Sequence, residues 1–72
     1  MYGIRVNAVA PGMIEGGMSS LLSEEQMKRS SSSVAMKRFG MPSEVAEAVY
    51  FLASPKASYI TGTILTVDGG ML

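Results

Sequence analysis

Seventy-two residues, with six basic and six acidic side chains and so no net charge, allow one small domain at most. The 47% apolar content suits a folded chain and excludes a disordered one. Balanced charge gives no basic patch for nucleic acid, and the lack of Cys and His removes disulfides, the usual zinc ligands and the commonest general base.

No apolar run approaches membrane-spanning length, and no leader or basic amphipathic helix is visible. The expectation is a cytoplasmic protein with no nucleic-acid, membrane or metal partner.

Ile4 to Ala10 is a short apolar run with β-branched residues, closed by Pro11-Gly12. It reads as a strand: Ile4, Val6, Ala8 and Ala10 on one face, Arg5, Asn7 and Val9 on the other. Apolar residues on both faces predict a parallel strand covered on both sides. Asn7 is expected to bond the backbone of a neighbouring loop. Pro11, which lacks an N–H, and Gly12 are expected to stop the strand and open a tight loop. Ligands of open α/β sheets sit outside the carboxyl ends of the strands, so any ligand belongs just after Ala10.

Met13 to Ser20 reads as a loop made flexible by Gly16-Gly17. Gly12 and Gly16 with no helix directly following do not make a phosphate cradle. Ser23 and Gln26 form a capping-box pair that starts a short helix, and Leu22 and Met27 fit a hydrophobic staple. Glu24 and Glu25 open that helix and Lys28 and Arg29 close it, as the helix dipole favours. Ser30 to Ser33 are poor helix formers and predict a frayed end.

Val34 to Gly40 is a connection, and Pro42 suits the first position of a second helix capped by Met41. Val45, Ala48, Val49 and Leu52 recur at helical spacing, and Ser54-Pro55 ends the run. Tyr50 and Phe51 widen the apolar surface beyond one stripe and call for cover from a larger body or a partner chain. After a turn-rich link at Ala57 to Gly62 comes the β-branched strand Thr63 to Val67, then Asp68-Gly69-Gly70 and a Met71-Leu72 tail. The order strand, short helix, longer helix, strand is one βαβ unit with two parallel strands and a right-handed crossover. Two parallel strands alone are marginal in water and leave two open edges, which points to part of something larger.

The stretches Gly3-Ile4-Arg5-Val6-Asn7-Ala8-Val9-Ala10-Pro11-Gly12, Arg38-Phe39-Gly40-Met41-Pro42-Ser43-Glu44-Val45-Ala46, Phe51-Leu52-Ala53-Ser54, Tyr59-Ile60-Thr61-Gly62 and Val67-Asp68-Gly69-Gly70-Met71 occur in that order. Together they resemble the C-terminal part of the short-chain dehydrogenases/reductases, most of all the 3-oxoacyl-acyl-carrier-protein reductase branch. The likeness runs from Tyr2 to the end of the chain. It implies an α/β fold: the C-terminal βαβ portion, two parallel strands with two crossover helices, of a Rossmann-type doubly wound sheet. It implies NAD or NADP as the cofactor of the full-length family, which moves hydride between the cofactor and an alcohol or carbonyl. The family's catalytic Ser, Tyr-x-x-x-Lys and Asn have no counterpart here. The residues four after Tyr2, Tyr50 and Tyr59 are Val6, Ser54 and Thr63. No glycine-rich dinucleotide loop is present either, so the chain carries no catalytic residue and is expected to be inactive alone.

By the same resemblance, Pro11, Gly12, Met13 and Ile14 are the cofactor-binding residues, lying against the nicotinamide end. Backbone groups there bond the carboxamide, and Ile14 packs near the ring. The family usually has Thr where this chain has Gly16, and the missing hydroxyl implies that the chain alone does not hold the cofactor tightly. The helix from Ser23 to about Arg29 matches the mobile substrate lid. The Pro42 to Ala53 helix and the Thr63 to Val67 strand match the oligomer interface, implying self-association or pairing with a full-length relative. The leading expectation is a C-terminal piece of a reductase. The alternatives are a non-catalytic interaction or dimerisation module and, more remotely, a free-standing nucleotide binder built on Pro11 to Ile14.

Overall fold

The computed structural model describes residues 3–71. Strand β1 (Ala8–Pro11) is followed by helix α1 (Glu24–Ser31), helix α2 (Pro42–Ala53) and strand β2 (Ile64–Val67). The strands pair in parallel, with Ala8 opposite Ile64 and Pro11 opposite Val67. This is the expected βαβ unit, with α2 lying across both strands.

The ladder explains how Pro11 fits inside β1 instead of ending it. The Ala8 N–H donates to the Thr63 carbonyl (2.9 Å) and the Gly12 N–H to the Val67 carbonyl (3.0 Å). Amides alternate along a strand, so even-numbered ones face β2 and the Pro11 nitrogen faces the open edge. No ladder bond is lost there.

The run from Ile4 is not a seven-residue strand, and it is not covered on both faces. Ile4 and Val6 are 62% and 70% exposed. Side chains, with a single backbone bond from the Gly62 N–H to the Val6 carbonyl (2.8 Å), hold residues 4–7 beside 60–63. The Asn7 amide donates to the Ile60 carbonyl (3.0 Å) and accepts from the Thr63 N–H (3.0 Å). The Arg5 guanidinium also donates to Ile60 (3.1 Å), and the Val6 N–H donates to Thr61 Oγ1 (3.1 Å). Asn7 thus bonds neighbouring loop backbone, as its place in the run suggests.

The loop after β1 is more ordered than its glycines imply. Gly16 and Gly17, at φ of 98° and 54°, turn the chain into a 3-10 helix at Gly17–Leu21. Helix α1 starts as predicted: the Gln26 N–H donates to Ser23 Oγ (3.1 Å) and the Ser23 N–H to Gln26 Oε1 (2.9 Å). The serine run does not fray, since Ser30 and Ser31 are helical. Ser31, Ser32 and Ser33 donate their hydroxyls to the carbonyls three residues back, at 3.1, 2.6 and 2.9 Å. These hydroxyls add a second donor to carbonyls of the last turn that already accept the Ser32 or Ser33 N–H at 3.2 to 3.4 Å. Because α1 makes no extensive contact with the strands or α2, its cap should govern its own stability. Ser23→Ala should destabilise α1 by about 1 kcal/mol, read as faster exchange of the Gln26 and Met27 amides while the β1 amides stay protected.

Helix α2 runs from Pro42 to the residue before Ser54-Pro55, as expected. A second 3-10 helix at Pro55–Ala57 occupies the start of the turn-rich link, capped by Ser54 Oγ accepting the Lys56 N–H (3.2 Å). The chain end is also engaged: Met71 pairs antiparallel with Val34, and the Ala35 and Met36 amides donate to Gly70 and Gly69. A Cβ on Gly70 would lie 2.7 Å from Ala35 Cβ, so only glycine permits this approach.

The core is small. Val34, Phe39, Leu52 and Ala57 are buried, and of the predicted α2 stripe only Leu52 is among them. A compact chain of 72 residues has a radius of gyration of about 11 Å and exposes about 4,300 Å². Here the values are 14.8 Å and 5611 Å². Tyr50 on α2 and Ile64 on β2 are 76% and 69% exposed.

Candidate functional site

The site is built where both parallel strands end. Gly12 follows β1 and Asp68 follows β2, and the two nearly touch. A Cβ on Gly12 would lie 2.6 Å from Asp68 Cβ and 2.9 Å from Asp68 Cα. Absence of a side chain at Gly12 therefore lets the strand ends close on each other.

Past this crossing, residues 13–15 run beside Gly40. The Gly40 N–H donates to the Met13 carbonyl (2.9 Å), and the Glu15 N–H donates to the Gly40 carbonyl (2.8 Å). Ile14 is the bridge residue opposite Gly40, in parallel sense. In such a bridge the flanking residues supply the bonds, and the bridge residue's own N–H and C=O face the other way. Ile14 thus presents an adjacent donor and acceptor on an open edge, unengaged among the described residues. That pair complements a primary carboxamide, which offers one acceptor oxygen and N–H donors.

A cleft of about 460 Å³ is lined by Met13, Ile14, Met36, Arg38, Glu44 and Asp68 among others. The structure therefore brings Met13 and Ile14 to a concave surface at the carboxyl ends of the strands. Pro11 and Gly12 do not line it; Pro11 sits in the β1 ladder and Gly12 against Asp68. The Ile14 side chain reaches over Gly40, where an added Cβ would lie 2.9 Å from Ile14 Cδ1.

Arg38 and Glu44 belong to the Arg38-to-Ala46 stretch that carries the family resemblance, and the sequence assigns neither of them a partner. They form a two-pronged ion pair, Nη1 to Oε1 at 2.9 Å and Nη2 to Oε2 at 2.8 Å. Glu44 Oε1 also accepts the Met41 N–H (2.8 Å), serving the start of α2 where Met41 has no side-chain acceptor to offer. The hydrogen bond from Arg38, with that from the Met41 N–H, lowers the Glu44 carboxyl from its ordinary 4.5 to about 2. The same pairing raises Arg38. The sequence signal was an Arg and a Glu on either side of Gly40-Met41-Pro42, brought together where the Gly40 bridge runs into the start of α2.

Because the folded value of Glu44 is depressed, its contribution to stability is complete above pH 4.5 and is lost as pH falls toward about 2. In thermal melts across that window, Glu44→Gln should flatten the acid limb relative to the parent. An unchanged limb would show that the pair adds nothing.

Among the described residues, no three His, Cys, Asp or Glu side chains are grouped to hold a metal ion, and no helix is long and apolar enough to cross a membrane. Gly16, in the position where the resemblance leads one to expect Thr, sits at φ 98°, a backbone angle in which threonine is strained.

The family described as enoyl-(acyl carrier protein) reductase matches residues 1–72. The chain is 48% identical over 69 residues to the 3-oxoacyl-acyl-carrier-protein reductase FabG of Thermotoga maritima, and 54% identical over 69 residues to that of Buchnera aphidicola. Each alignment covers 96% of this chain and 28% of the relative. Among solved structures, a short-chain dehydrogenase/reductase of the glucose/ribitol dehydrogenase type from Brucella melitensis superposes with a TM-score of 0.85 at 44% identity. It is matched over 94% of this chain and 28% of its own. A short chain dehydrogenase from Bacillus anthracis gives a TM-score of 0.81 at 49% identity, over 96% of this chain and 26% of its own. The chain thus spans little more than a quarter of the length of these relatives. With its parallel βαβ unit and the Arg38-to-Ala46 and Val67-to-Met71 segments folded around one cleft, the chain belongs to the short-chain dehydrogenase/reductase family.

Proposed function

We propose that this chain supplies the nicotinamide-side edge of an NAD(P)-dependent reductase of the 3-oxoacyl-acyl-carrier-protein type, as one C-terminal section of a larger Rossmann-type domain. The observation that carries this reading is Ile14, whose N–H and C=O face outward together at the carboxyl ends of two parallel strands. They would hold the carboxamide of the cofactor, which when bound supplies the hydride. Met13 lines the cleft, Gly12 sets the approach of the strand ends, and Pro11 leaves the β1 edge without a donor. Helix α1, poorly anchored to the sheet, suits the role of a lid over the substrate. A soluble cytoplasmic setting fits this reading.

The chain brings no Tyr-x-x-x-Lys pair and no glycine-rich phosphate loop, so proton transfer and pyrophosphate binding must come from elsewhere in the assembled protein. The test is oxidation of NADH or NADPH with an acetoacetyl thioester. The chain alone should give no turnover. Mixed with a separately expressed N-terminal portion of a FabG relative, it should restore turnover. Activity from the chain alone, or none from the assembled pair, would overturn the proposal.

A second reading is a non-catalytic association module. It is favoured by the exposed α2 and β2 surface, with Tyr50, Phe51 and Ile64, and by an exposed area above that of a compact chain. Light scattering on the eluting protein separates the outcomes: a cooperative monomer at all concentrations counts against self-association.

A further inference from the structure

We infer that the Arg38–Glu44 ion pair is a positioning clamp for Ile14, acting through the two peptide planes on either side of Gly40. This rests on the reading of Ile14 as the carboxamide-binding residue. The geometry runs as a short chain of rigid units. Arg38 Nη1 donates to the Phe39 carbonyl (3.1 Å) as well as to Glu44. That carbonyl shares a planar peptide unit with the Gly40 N–H, so fixing one end aims the other at Met13. Glu44 Oε1 accepts the Met41 N–H (2.8 Å). That N–H shares a plane with the Gly40 carbonyl, which is thereby aimed at Glu15.

Both groups of Gly40 that hold residues 13–15 are thus oriented from behind by one ion pair. The two bonds they make, at 2.9 and 2.8 Å, are what turn the Ile14 N–H and C=O outward. A Cβ at Gly40 would lie 2.9 Å from Ile14 Cδ1, the free end of that side chain, so Ile14 rests directly over the Gly40 backbone. The pair lies on the surface, where a single exposed ion pair contributes little to stability, but its two-pronged geometry gives directional control. Neither residue need touch the cofactor to set the angle at which Ile14 meets it.

The experiment is amide hydrogen exchange by NMR on the full chain, followed by titration with nicotinamide as the probe. In the parent, the Gly40 and Glu15 amides are protected, and nicotinamide shifts the Ile14 amide resonance. In Glu44→Ala, exchange of Gly40 and Glu15 should quicken about tenfold or more, while Ala8 and Gly12 in the β1–β2 ladder keep their protection. The nicotinamide shift at Ile14 should be lost. Glu44→Gln keeps an acceptor for the Met41 N–H and should restore part of both. Unchanged exchange at Gly40 and Glu15 would overturn the clamp, and so would equal quickening at Ala8 and Gly12, which marks general stabilisation only.

Should Glu44→Ala prevent folding, Arg38→Lys decides the matter. It removes the fork but leaves the Met41 bond, and should loosen Gly40 more than Ala8. Parent-like protection of Gly40 in that variant would overturn the clamp. If the exchange pattern follows expectation but nicotinamide leaves Ile14 unmoved in the parent, the clamp stands and the carboxamide reading fails.

Discussion

Gly12→Ala should lower the stability of this protein by about 3 kcal/mol, the range of a buried steric clash. The new methyl would meet Asp68 Cβ at 2.6 Å and Asp68 Cα at 2.9 Å. Neither atom is the free end of a flexible side chain, so no rotamer change relieves the contact. The strand ends must part by roughly 1 Å to reach ordinary van der Waals distance. Parting them stretches the bond from the Gly12 N–H to the Val67 carbonyl, 3.0 Å in the parent. It also shifts Met13 and Ile14 away from the cleft they line. Urea denaturation followed by circular dichroism measures the loss, and an unchanged midpoint would show that the strand ends separate freely. A larger residue such as valine should leave no cooperative transition.

Asn7→Ala should cost about 2 kcal/mol through two lost hydrogen bonds and one stranded donor. The Ile60 carbonyl keeps the Arg5 guanidinium (3.1 Å), but the Thr63 N–H loses its acceptor just before β2 begins. Asn7→Asp retains that acceptor and loses only the donor to Ile60, so it should fall between the parent and alanine. The same urea titration ranks the three proteins. Exchange at the Thr63 amide locates the effect, and should quicken most in Asn7→Ala. Equal stability of alanine and aspartate variants would show that the Thr63 bond contributes nothing.

Both substitutions fall on residues whose importance depends on partners more than fifty positions away. Local signals placed other parts of the fold without such partners. Pro42 with the Val45, Ala48 and Leu52 spacing, closed by Ser54-Pro55, marked α2 to the residue. Ser23 and Gln26 marked the start of α1, because a capping box is complete within four residues. The parallel pairing followed from two β-branched runs separated by helices. Ile4 and Val6 misled, since an apolar run reads the same whether or not a sheet covers it. Serines 30 to 33 misled because propensity does not register hydroxyls returning to carbonyls three residues back.

At the site, the residues after β1 were legible from the strand end and from the family resemblance, whereas their arrangement was not. Amino-acid order alone told that two parallel strands would end at Pro11-Gly12 and at Asp68, with Met13 and Ile14 after the first; that the two ends close on each other at Gly12 is tertiary. Folding in three dimensions decided that Gly40 would lie opposite Ile14, that Arg38 and Glu44 would brace it, and that Ile14 would face outward. Helix and strand signals are short-range and repeat along the chain, so they survive in one dimension. The direction of a single N–H is set by contacts between segments the chain has first to bring together.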